Sequence, residues 1–152
     1  MYQIVTYSPQ RIFNDQIAFF VLAKGLNAGR PSYEPNINSF AVLCHNEEVK
    51  EYLFYYIYAT WKTNYFKKEL IGSVIPFIPI TVIKKILLKA KQQIGINTLH
   101  LKSYIQYLSM LYDTEQKLNT QLKLTLELKT SLSHKLLQVC NSYHRVPKSI
   151  NT

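Results

Sequence analysis

A chain of 152 residues with 47% hydrophobic residues and a net charge of +9 is the size of one globular domain, or one domain with an extension. That length buries a core without needing disulfides or metals, and the composition argues against a disordered or fibrous protein. The positive charge favours anionic partners such as nucleic acid, an acidic protein or an anionic surface. It is unevenly spread. Leu70–Tyr112 contains no Asp or Glu but carries Lys84, Lys85, Lys89, Lys91 and Lys102, and a second acid-free stretch runs from Leu128 to the end. Two cysteines, Cys44 and Cys140, make no disulfide framework. Together with a start that lacks a signal pattern, they indicate a cytoplasmic protein with reduced thiols. No apolar run reaches the ~18 residues that span a bilayer.

In chain order, Ile4–Tyr7 reads as a short strand ended by Pro9. A segment from Asn14 or Asp15 to Leu22 packs Ile17, Phe19, Phe20, Val21 and Leu22 together. Periodicity alone leaves it open between buried helix and buried strand. Lys24–Asn38, with Gly25, Gly29, Pro31 and Pro35, is a loop. Ser39–Cys44 is a strand. Glu47 and Glu48 open a helix, where negative charge suits the dipole. It runs to about Trp61 with Leu53, Tyr56, Ile57 and Thr60 on one face. Gly72–Ile80 is extended, because each proline disfavours helix before it. Thr81 is the expected N-cap of a helix to about Gln93 that buries Val82, Ile83, Ile86, Leu87 and Ala90 and turns its lysines outward. Gly95 stops it.

From about Thr98 to Cys140 no Gly or Pro interrupts the chain. Leu101, Tyr104, Leu108, Leu111, Glu115, Leu118 and Leu122 alternate three- and four-residue steps, a heptad-like seam. Leu122, Leu124, Leu126 and Leu128 then alternate like a strand. Strong helix formers on both flanks favour helix. Leucines on both sides of such a helix need cover on both sides, from the body and from a partner helix. Pro147 ends the ordered part. The expectation is therefore an α+β protein: a mixed body over residues 1–95, a long helix over 96–142 and a loose tail over 143–152.

Chemistry is sparse. The sequence holds no GxSxG, HExxH or GxxxxGK[ST] pattern. His45, His100, His134 and His144 have no partner at metal-ligand spacing. Cys44–His45 sits on a strand, with side chains to opposite faces. These features imply no enzyme, no metal and no cofactor. KGLNAGRP, Lys24–Pro31, matches no nucleotide fingerprint and reads as a turn, though a basic one.

Two stretches carry a resemblance: SFAVLCHNEEVKEYLFYYIYA, Ser39–Ala59, and LIGSVIPFIPITVIKKILL, Leu70–Leu88. A strand, a helix ending in paired aromatics and then a GSxIPxI segment are similar to the later half of a target-recognition domain in type I restriction–modification specificity subunits. Gly72, Ser73, Pro76 and Ile78 match best. In that family a long helix follows and packs on its counterpart, which the Leu101–Cys140 helix resembles. KGLNAGRP followed by GSVIPFI also resembles a family of short, uncharacterised bacterial proteins.

The leading expectation is a non-catalytic, DNA-binding, target-recognition-like protein that dimerises through its long helix. Lys24, Arg30, Lys67, Lys68, Lys84 and Lys85 would contact phosphates, and Tyr33 and Asn36 would touch bases. The alternative is an assembly module working through the helix on a protein partner, with Leu118, Leu122 and Leu126 at the interface. Membrane-surface attachment through Thr81–Gln93 ranks last, since its apolar face is more simply core.

Overall fold

The computed structural model describes residues 2–10, 17–93 and 98–143. It is α+β. Four antiparallel strands, β1 (Tyr2–Thr6), β2 (Ala18–Leu22), β3 (Pro31–Ser32) and β4 (Ser39–Cys44), are ordered β1-β4-β2-β3. Three helices accompany them: α1 (Glu47–Lys62), α2 (Ile80–Gln93) and α3 (Thr98–Tyr143), with a 3-10 turn at Tyr65–Glu69.

The segment left open between helix and strand is β2. Five residues are too short for a helix to be worth its nucleation, and β2 pairs on both edges, with β4 and with β3. Register puts Phe19 opposite Val42, Val21 opposite Phe40 and Ile4 opposite Val42, so these side chains share one face. Phe19, Val21 and Val42 are fully buried there. Phe54 of α1 meets Phe19 edge-on, with ring centres 5.7 Å apart. On the opposite face, Tyr7 lies edge-on to Phe20 at 5.3 Å. Burial on both faces explains why β2 and β4 read as unbroken apolar runs without alternation.

Asn46 caps α1. Its backbone is extended and its side-chain oxygen accepts the Val49 N–H at 2.9 Å, satisfying one of the helix's free donors. Leu53 and Ile57 are fully buried as expected, but Tyr56 and Thr60 are only half-buried. The buried surface is wider and takes in Tyr52, Phe54, Tyr55 and Tyr58. The reason is that α1 packs on two partners, the sheet through Phe54 and α2 through Tyr52, whose hydroxyl donates to the Ala90 carbonyl at 3.0 Å.

In α2, Ile83, Ile86, Leu87 and Ala90 are buried while Lys84, Lys85, Lys89 and Lys91 are exposed. Its buried face is core, while Leu88 beside it stays exposed. The helix starts at Ile80, so Thr81 lies in its first turn instead of capping it, and the Val82 N–H reaches the Pro79 carbonyl at 3.0 Å.

Helix α3 runs 46 residues and is helical through all of Leu122–Leu128. Thr114, Thr120, Thr125, Thr130 and Ser133 each donate a hydroxyl hydrogen bond to the carbonyl four residues back, at 2.8–3.0 Å. These bonds satisfy residues that otherwise compete with helix backbone. Contacts divide the chain into two compact units, Met1–Leu108 and Ser109–Thr152, so the division falls inside α3. The cap at Asn14 or Asp15, the stop at Gly95 and the tail beyond Tyr143 lie outside the described residues.

Candidate interaction surfaces

Backbone hydrogen bonds join the two segments singled out in the sequence, KGLNAGRP and GSVIPFI. The Gly25 N–H donates to the Pro76 carbonyl at 2.8 Å and the Ile78 N–H to the Ala23 carbonyl at 2.9 Å. Ile71 and Phe77 exchange both backbone bonds, at 2.9 and 2.8 Å, and close a small loop that turns on Gly72 at φ 97°. Only glycine takes that backbone conformation at low cost. The loop tip exposes Val74 and Ile75, and Leu26 is exposed on the facing segment. A hollow of about 200 Å³ lies beside Lys24, between Ile37 and Phe77.

The expected phosphate-contacting residues fall into two groups. Phe66, buried in the 3-10 turn, packs its ring against Gly29. This sets the turn that carries Lys67 and Lys68 beside the loop that carries Lys24 and Arg30. All four are exposed. Lys84 and Lys85 stand on α2, and Lys84 lines a different groove, of about 580 Å³, with Tyr2, Gln3, Ile4, Leu88 and Lys91.

The two residues expected at bases have other engagements. The Tyr33 ring stacks on Phe54 at 4.1 Å, nearly parallel. Its hydroxyl donates to the Glu51 carboxylate, 3.1 Å from each oxygen, and the Lys50 ammonium lies 5.4 Å from its ring centre. Burial, then the Tyr55 hydroxyl and the Glu51 charge, push its phenol far above the usual tyrosine range. Asn36 accepts the Asn38 N–H on its side-chain oxygen at 3.2 Å, a turn-stabilising bond.

Burial also pushes the Cys44 thiol up to about 11, against a smaller opposing pull from Lys50. Such a thiol is protonated at neutral pH and a poor nucleophile. Among the described residues no group of His, Cys, Asp and Glu is placed to hold a metal ion, and no helix is long and apolar enough to cross a membrane.

A further set of exposed apolar side chains lies on α3 beyond Leu108. Leu118, Leu122 and Leu126 are each more than half exposed. So are Leu124, Leu128, Leu132, Leu136, Leu137 and Val139. Leu132 and Leu136 continue the four-residue spacing from Leu128.

The chain belongs to a family of unknown function, DUF6943. The match covers residues 4–135 and so includes the sheet, both shorter helices and most of α3. It agrees with the resemblance to short uncharacterised proteins. Neither the curated proteins nor the solved structures contain a significant match.

Proposed function

We propose that this protein is a non-catalytic assembly module whose working element is the leucine-bearing part of α3. The carrying observation is the exposed run from Leu118 to Val139. Large exposed apolar patches mark interaction sites. An unpacked helix gains little stability from propensity alone, so a 35-residue segment, Ser109–Tyr143, calls for cover along its length. Two free thiols suit a cytoplasmic setting. The test is light scattering across a concentration series. The wild type is expected to be oligomeric, and the Leu122→Glu/Leu126→Glu variant monomeric, since burying two carboxylates at a helix interface is strongly unfavourable. An unchanged mass for the variant would overturn the reading.

A second reading is DNA binding by the body. It is supported by the junction that groups Lys24, Arg30, Lys67 and Lys68 at Gly29 and Phe66. The acid-free Leu70–Tyr112 stretch and the resemblance to type I target-recognition domains point the same way. Such contacts would act by neutralising phosphates. On this reading, Lys67→Ala/Lys68→Ala lowers the slope of log affinity against log salt by about two units on random duplex DNA. If Lys84→Ala/Lys85→Ala does so instead, the interface lies on α2. A wild type that fails to bind at low salt removes DNA from consideration.

A further inference from the structure

We infer that the partner of α3 is a second copy of this chain, packed antiparallel about a two-fold axis near Glu127. The inference rests on the assembly reading and specifies its geometry. Six exposed leucines form two rows with four-residue steps, Leu118–Leu122–Leu126 and Leu128–Leu132–Leu136. The rows are mirror images about residue 127. In a two-fold interface each contact occurs twice, residue i on j and j on i. An antiparallel copy centred there sets Leu118 against Leu136 and Leu122 against Leu132, while Leu126 and Leu128 flank the axis on its two sides.

The alternative orientation is opposed by charge. Carrying the three-and-four seam past Leu122 places Thr125, Lys129, Leu132 and Leu136 on it, with Glu115 and Leu118 before it. A parallel, in-register pair stacks Glu115 on Glu115 and Lys129 on Lys129 at the seam, two like-charge contacts in a desolvated place. The antiparallel pair instead sets Lys129 against Thr125 and Glu115 against Val139, one turn from Lys135. Ser109–Tyr143 is itself close to neutral, with four lysines and three acids. Self-association there does not meet the repulsion that a chain of net charge +9 otherwise brings.

The test uses the full chain in a Cys44→Ala/Cys140→Ser background, with one new cysteine at Leu122 or at Leu132. Under mild oxidation, mixing the Leu122→Cys and Leu132→Cys chains is expected to give more than about fivefold more disulfide dimer than either alone, because disulfides need Cα atoms within ~7 Å. In this register the two Leu122 positions sit about 15 Å apart along the helix. If each variant instead links to itself as fast as the mixture links, the orientation is wrong while assembly through the helix stands. A chain that light scattering finds monomeric at every concentration overturns both.

Discussion

Gly29 shows how one residue positions a candidate surface. Its φ of +92° is in the region that side chains disfavour, and a Cβ there would clash with the edge of the Phe66 ring. Gly25 has the same φ of +92° but open space where its Cβ would go. The pair separates backbone strain from packing. Strain alone costs about 1–3 kcal/mol, and forcing apart a packed ring adds about 1–3 kcal/mol. Gly29→Ala is therefore expected to lose roughly 2 kcal/mol more stability than Gly25→Ala, measured by urea denaturation. Equal losses would mean that Phe66 moves aside freely, and that the grouping of Lys24, Arg30, Lys67 and Lys68 is not held by this contact.

Elements were legible where a local signal agreed with the tertiary context. β4 matches its expected bounds because an apolar run is bracketed by Asn38 and Asn46, which serve a turn and a cap. The lysine-free face of α2 names four buried residues, Ile83, Ile86, Leu87 and Ala90, while Val82 on the same face is half-buried. α1 is covered on two sides, so its six buried positions include four aromatics that no single helical stripe contains. In α3 the alternation of Leu122–Leu128 imitates a strand, yet helix prevails, since good helix formers surround it. The basic groups were harder to read. Lysine has no local partner that reveals its neighbours, and a contact between Gly29 and Phe66, 37 positions apart, leaves no periodic trace. The commitment of Tyr33 to Phe54 and Glu51 likewise depends on pairing that sequence spacing does not encode.

At the scale of the whole molecule, stability and assembly lie in different parts of the chain. Among the described residues, every buried hydrophobic side chain falls between Phe19 and Ala90. The long-range hydrogen bond of Tyr52 and the stacked Tyr33–Phe54 pair lie in the same span. Residues 109–141 contribute no buried side chain there, and their leucines reach burial only against another surface. Hydrophobic stabilisation scales with the area removed from water. A chain ending at Leu108 is thus expected to keep a cooperative thermal transition within about 5 °C of the Leu122→Glu/Leu126→Glu monomer. The intact wild type should instead show a midpoint that rises with protein concentration, because self-association stabilises by mass action. A truncated chain that unfolds without cooperativity would place part of the fold's stability in Ser109–Tyr143, and the helix would then be a structural support and not a separate assembly element.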